Sequence, residues 1–202
     1  MIRICLALTL LVWGNKPDRL YLPLKTNNRT VLTDNQLTRI GKYGLLRKAR
    51  PSVPAHYHTG VDLKRPAQNY TNEPVLAAGS GKIISVRNDG PYSQIIIQHS
   101  FVPGDTLWTV YEHLQGITCH VGQQVDVQTS IARFFTKDEL NRYGWQFDHV
   151  HFEILRSKPL KIRSTPQQPE YFFKTFDIIC YTLAELHKRT VNPMDYFQKS
   201  HR

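Results

Sequence analysis

Five residues of this 202-residue chain have the types and spacing of a catalytic metal site. His58-Thr59-Gly60-Val61-Asp62 sets an imidazole and a carboxylate four positions apart. His149-Val150-His151-Phe152-Glu153 sets two imidazoles two positions apart, and His113 lies between the two pairs. Catalytic zinc is commonly held by three protein ligands drawn from His and carboxylate, with the fourth position open to water. Gly60 lets the backbone turn so that His58 and Asp62 can converge from one loop. Residues i and i+2 of a strand share a face about 6.5 Å apart. That is too far for both imidazoles of the His-x-His pair to share one small ion. It suits one imidazole binding while its neighbour works beside it, and spacing does not say which.

Such residues need strands to hold them. Lys82 to Arg87, Gln94 to Gln98, Leu107 to His113 and His149 to Leu155 are β-branched or aromatic runs bounded by turn residues. Asn88-Asp89-Gly90-Pro91 is a turn between two of them. Several short strands with few helices predict a mainly β protein with an antiparallel core. Thr33 to Leu46 is expected as a short helix weakened by Gly41 and Gly44, and Thr182 to Lys188 as another. Residues 15–54 read as a basic N-terminal arm and 55–202 as the domain proper. His99 is expected to cap a strand, and His56 to sit in a loop. Trp145 and Phe147 either wall a groove or pack their own loop. Glu153, on the face of His149 and His151, can orient a ligand histidine or form a salt bridge.

The ordered set His58 to Asp62, Tyr111-Glu112-His113-Leu114 and His149 to Glu153 resembles the lysostaphin/LytM-type zinc endopeptidases, which cut peptide bonds in bacterial peptidoglycan. Weaker matches run from Glu73 to Ala78, Gly81 to Ile84, Val121 to Val125 and Asn192 to Tyr196, so the resemblance covers roughly 55–197. It implies a duplicated-hybrid-motif fold with a groove between two sheets and Zn2+ on its floor. It implies His58, Asp62 and His151 as metal ligands, with His113 and His149 catalytic. His149 would serve as general base or proton shuttle, while His113 would stabilise the oxyanion or hold the water. The rival expectation is a non-catalytic envelope protein of the same fold that binds wall peptides or activates a separate hydrolase. The chain departs from the family in the bulky, charged stretch 134–148 and in an insertion around 156–190. Both bear on substrate choice and spare the ligands.

Composition is ordinary for a globular protein, with 41% hydrophobic and 21% charged residues. The net charge of +10 is uneven, because residues 1–65 hold 12 Lys/Arg against 3 Asp/Glu. That excess, densest from Arg39 to Arg50, can attract an anionic wall polymer or peptidoglycan carboxylates, or act only as a solvated face. Nucleic acid is not the expected partner. Ile4 to Trp13 is nearly continuous apolar sequence behind Arg3, as in a secretory signal peptide over residues 1–14. It is too short to span a membrane. The expected destination is the periplasm, cell envelope or exterior, with peptidoglycan or another peptide as substrate. Cys119 and Cys180 would remain after cleavage, as a disulfide or as two buried thiols. No Cys-x-x-Cys occurs, which disfavours a thiolate zinc site.

Overall fold

Antiparallel strand pairing organises the chain. In the computed structural model, residues 19–51, 53–101, 104–162 and 176–199 are described, and the expected leader at 1–14 lies outside them. The strands are β1 (Leu46–Arg47), β2 (His56–Tyr57), β3 (Val61–Lys64), β4 (Pro74–Leu76), β5 (Gly81–Arg87), β6 (Gln94–Ser100) and β7 (Thr106–Glu112). There follow β8 (Gln124–Val125), β9 (Ser130–Arg133), β10 (His149–Leu155), β11 (Leu160–Lys161), β12 (Phe176–Asp177) and β13 (Thr190–Val191). Three seven-residue helices complete the set: α1 (Lys137–Tyr143), α2 (Leu183–Arg189) and α3 (Pro193–Lys199). This is the expected antiparallel β core with few short helices.

The main sheet has seven strands in the order β13-β10-β7-β6-β5-β8, and β3 joins the first half of β10 on the edge that β13 shares. Strand alternation gives the sheet two different faces. One face carries Val61, Leu63, Ile83, Ile95, Ile97, Tyr111, Val150, Phe152 and Ile154 into the large core. Residues 20–37 close over this core, contributing Leu20, Leu22, Leu24, Leu32 and Leu37. Phe197 of α3 meets Phe152 there, with ring centroids 6.5 Å apart. The other face holds a small cluster of Ile96, Trp108, Val110 and Leu155, and beyond it the polar residues described below. The free thiols of Cys119 and Cys180 are both buried and do not form a disulfide.

Two expectations fail here. Thr33 to Leu46 is no α-helix: only a 3-10 turn forms at Asp34–Gln36. Backbone bonds with β3 take the place of a continued helix. Thr38 N–H donates to the Asp62 carbonyl at 3.0 Å, and Asp62 N–H donates to the Gly41 carbonyl at 2.9 Å. A Cβ on Gly41 would stand 2.8 Å from that Asp62 carbonyl oxygen, and Gly44 sits at φ +74°. The two glycines thus mark close approach and a left-handed turn. Conversely, α1 forms inside the bulky, charged stretch 134–148, where no helix was expected. Thr136 accepts from the Glu139 amide, and the Glu139 carboxylate accepts from the Thr136 amide at 2.7 Å. This capping box is readable as Thr136-x-x-Glu139.

Candidate functional site

β10 places Val150, Phe152 and Ile154 in the core, so His149, His151 and Glu153 must emerge on the opposite face. Its neighbour β3 sets Asp62 directly beside His151, and β7 sets Glu112 on the other side of the same residue. His58 arrives from the turn that links β2 to β3. Gly60 permits this, though not by an unusual φ: a Cβ there would stand 2.2 Å from the Phe152 carbonyl oxygen. The glycine of the His-x-Gly-x-Asp pattern is therefore a close-approach residue that lets the turn lie flat on β10.

Three ligand-type atoms meet at one point. His58 Nε2 lies 2.9 Å from Asp62 Oδ1 and 2.9 Å from His151 Nδ1, and His151 Nδ1 lies 3.0 Å from Asp62 Oδ1. Each of these groups is held from behind. His58 Nδ1 pairs with the Lys42 carbonyl at 2.8 Å, an acceptor only, so that nitrogen carries the proton and Nε2 turns its lone pair inward. His151 Nε2 pairs with Glu153 Oε1 at 2.8 Å, which turns Nδ1 inward in the same way. Asp62 gives its other oxygen to Arg47, Nη2 to Oδ2 at 2.8 Å. Glu153 is itself fixed by the Thr59 hydroxyl on the same oxygen. Its Oε2 is buried with no hydrogen-bond partner among the described residues.

This donor set suits a divalent metal ion. Two imidazoles and a carboxylate are zinc-type ligands, and tetrahedral zinc with bonds of 2.0–2.1 Å spaces its ligand atoms about 3.3 Å apart. The observed spacing is within a few tenths of an ångström of that, and all three residues are buried. Without an ion, the lone pairs can coexist only by sharing a proton. Burial opposes charge on His151, yet hydrogen bonds to Asp62 and Glu153 raise its proton affinity well above the ordinary value. Burial likewise opposes the Asp62 anion, yet hydrogen bonds from His151 and His58 hold its carboxyl far below the usual range. His58 shifts the other way, lowered chiefly by burial.

His149 and His113 flank the trio without joining it. His149 Nε2 is 3.6 Å from Asp62 Oδ1, and its ring centroid is 4.8 Å from that of His113. Burial is the main force that pushes His149 down to about 3, with the neighbouring imidazoles adding to it. His113 follows the last residue of β7 at φ +61°, the left-handed region that non-glycine residues seldom enter. Its Nδ1 pairs with the Pro91 carbonyl at 2.7 Å, and burial lowers its proton affinity too. Phe147 packs on His113 with ring centroids 5.1 Å apart, while Trp145 is half-exposed at the rim. The first therefore packs the site and the second walls the groove.

All five residues singled out by spacing line one cavity of about 940 Å³. Two contributors had no signal in the linear pattern, the Lys42 carbonyl and Arg47, and Gln94 joins Glu112 at 2.6 Å beside His151. His56 is a β2 residue whose Nδ1 meets the Pro54 carbonyl at 2.9 Å. His99 does not cap a strand. It sits inside β6, fully buried, between the Ser80 carbonyl at 2.9 Å and the Thr109 hydroxyl at 2.7 Å. Among the described residues, no helix is long and apolar enough to cross a membrane.

Several solved structures are similar to this chain. A zinc-containing peptidase from Vibrio cholerae is 25% identical over 68% of this chain and 37% of its own length, with a TM-score of 0.44. Lysostaphin from Staphylococcus simulans is 20% identical over 82% of this chain and 52% of its own, with a TM-score of 0.47. The catalytic domain of the prophage-encoded M23 protein EnpA from Enterococcus faecalis is 22% identical over 63% of this chain and 87% of its own, with a TM-score of 0.42. No protein of curated function matches. The profile of peptidase family M23 matches residues 56–165, a span that takes in His58, Asp62, His113, His149 and His151. With more than half its length matched, the chain belongs to peptidase family M23.

Proposed function

We propose that this chain is an exported zinc-dependent endopeptidase that hydrolyses cross-links or stem peptides of peptidoglycan. The observation that carries the reading is the convergence of His58 Nε2, Asp62 Oδ1 and His151 Nδ1, each fixed from behind by Lys42, Arg47 or Glu153. These three residues hold the metal. Zinc at that point supplies a Lewis acid that polarises a peptide carbonyl and acidifies water at neutral pH. His113 and His149 handle the protons. His113, neutral and with its Nδ1–H spent on Pro91, offers only a lone pair at Nε2. It is thus suited to accept a hydrogen bond from the attacking water rather than to donate one to an oxyanion. His149, whose ring centroid lies 4.8 Å from that of His113, can receive the proton and return it to the leaving amine. Glu112, half-buried between the imidazoles and Gln94, keeps negative charge near them while protons move. Export rests on the apolar run behind Arg3 and on the extracytoplasmic location of such a substrate.

The test uses purified peptidoglycan sacculi and the chain lacking residues 1–14, with zinc, with chelator, and as His151→Ala. New free amino groups are expected only from the zinc-loaded unsubstituted protein, and fragment masses name the bond. Zinc-loaded protein that binds sacculi without releasing amino groups would instead identify a non-catalytic wall-binding protein.

A further inference from the structure

The basic stretch that stood out in the sequence is one wall of the groove. β1 and β2 form a hairpin, with Leu46 opposite Tyr57 and Arg47 opposite His56. Paired backbone bonds between Arg50 and Val53, at 2.8 and 3.1 Å, close a turn in the segment that joins them. The strand leaving that hairpin runs straight into His58. Arg39, one residue beyond the Thr38 amide bound to the Asp62 carbonyl, stands on the same side. Arg39, Lys48 and Arg50 are exposed and line the same cavity as His58, Asp62 and His151.

The charges in this cavity do not balance. Five cationic side chains line it against four carboxylates. Every carboxylate is already engaged: Asp62 by Arg47, Glu112 by Gln94, Asp148 by Arg65, and Glu153 by His151 and Thr59. Arg87 donates to the Tyr92 carbonyl at 2.6 Å. Arg39, Lys48 and Arg50 have no acidic partner among the described residues. A divalent cation on the floor would deepen the imbalance. A groove of this charge attracts anions and rejects cations before any contact forms.

Resting on the peptidase reading above, we propose that Arg39, Lys48 and Arg50 form a subsite for a substrate carboxylate. The groove then takes an acidic peptide, with a carboxylate a few residues from the cleaved bond, in preference to a neutral glycyl chain. Arg47 is left out of the subsite because its guanidinium is committed to Asp62.

The probes are capped pentaglycine and its variants with glutamate, or glutamine as the uncharged match, at each position in turn. Their affinities for the zinc-loaded chain are measured at low salt and at about 0.5 M salt, where the screening length falls to a few ångströms. One glutamate position is expected to bind about five- to tenfold tighter than its glutamine match, as for two or three exposed charge pairs acting together. Salt should remove that preference, and so should the triple change Arg39→Gln, Lys48→Gln and Arg50→Gln. Zinc content and the unfolding midpoint of that triple variant should equal those of the unsubstituted chain. Equal affinities, no measurable binding by any peptide, or a preference that survives both salt and the triple change would overturn the subsite. Sacculus cleavage by the same preparations separates the two readings. Glutamate preference without cleavage removes the peptidase and keeps the subsite, whereas cleavage without preference does the reverse.

Discussion

Removing Glu153 should weaken zinc binding without emptying the ligand set. Its Oε1 receives His151 Nε2–H at 2.8 Å and the Thr59 hydroxyl, and the residue is only 1% exposed. Glu153→Ala therefore deletes a buried, charge-assisted hydrogen bond that fixes both the tautomer and the ring orientation of His151. Such bonds are worth about 1.5–3 kcal/mol, or roughly ten- to a hundredfold in an equilibrium constant at 1.4 kcal/mol per decade. Outer partners of metal-bound histidines show the same range, about 10–100-fold in metal affinity. The assay is zinc competition against a chromophoric chelator at neutral pH, with chemical unfolding of the metal-free protein run alongside to separate affinity from foldedness. Glu112→Ala is the control, since that carboxylate also faces His151 but bonds Gln94. If Glu153→Ala binds zinc within about twofold of the parent while folded, or falls no further than Glu112→Ala, then Glu153 does not position the ligand and the argument fails.

Three other outcomes follow from the same contacts. Zinc binding should release about one proton near neutral pH, because the metal replaces the proton shared among His58, Asp62 and His151; calorimetry in two buffers of different ionisation enthalpy counts it, and a count of zero contradicts the shared-proton account. Burial pushes His99 down to about 4, so between that value and about 6.5 only the unfolded chain binds the proton. Stability should then fall by about 3 kcal/mol as pH drops from 6.5 to 4, and His99→Gln should flatten that limb in urea unfolding measured across pH. Gly60→Ala sets a Cβ against the Phe152 carbonyl, so it should destabilise the fold by about 1–3 kcal/mol or more and lower zinc occupancy with it; an unchanged unfolding midpoint would show that the turn has room.

The polar face of β10 was legible because strand alternation carries it. Once Val150, Phe152 and Ile154 read as one buried face, His149, His151 and Glu153 had to share the other. The tight spacing of His58 and Asp62 did the same for a turn entering a strand. The Lys42 carbonyl could not be read, since a backbone acceptor has no residue-type signature. Nor could Arg47, because which of several nearby cations reaches Asp62 depends on the β1–β2 register. Gly60 and Gly41 were visible as glycines, but their reason was not. Both answer to a neighbouring strand that local sequence does not contain. His99 was misplaced through its boundary, for β6 runs on to Ser100 and makes the residue interior rather than terminal.

The site is assembled from pieces of very different sequence separation, and that has an energetic consequence. Asp62 and His151 are locked by the β3–β10 ladder, which lies on the large core. His58 depends as well on residues 38–47: the Gly44 amide donates to its carbonyl at 2.8 Å, its own amide donates to Leu45 at 2.9 Å, and its ring leans on Lys42. Within that segment Tyr43 packs on the core and its hydroxyl pairs with Thr190 Oγ1 at 2.8 Å, whereas Leu45 and Leu46 are both exposed. Past Tyr43, its order rests on the backbone bonds to His58 and on the Arg47–Asp62 ion pair. A metal ion that binds only the ordered arrangement stabilises it by mass action, and the segment it would order carries Arg47, Lys48 and Arg50. Metal occupancy and the shape of the basic wall should then be coupled through His58. Hydrogen exchange shows whether they move together: without zinc, protection of the Gly44, Asp62 and His58 amides should fall well below that of Ile95 and Ile97 in the core, and zinc should raise it. Equal protection of both regions in the metal-free protein would mean that the hairpin already folds as one unit with the sheet, and that the wall is built before the metal arrives.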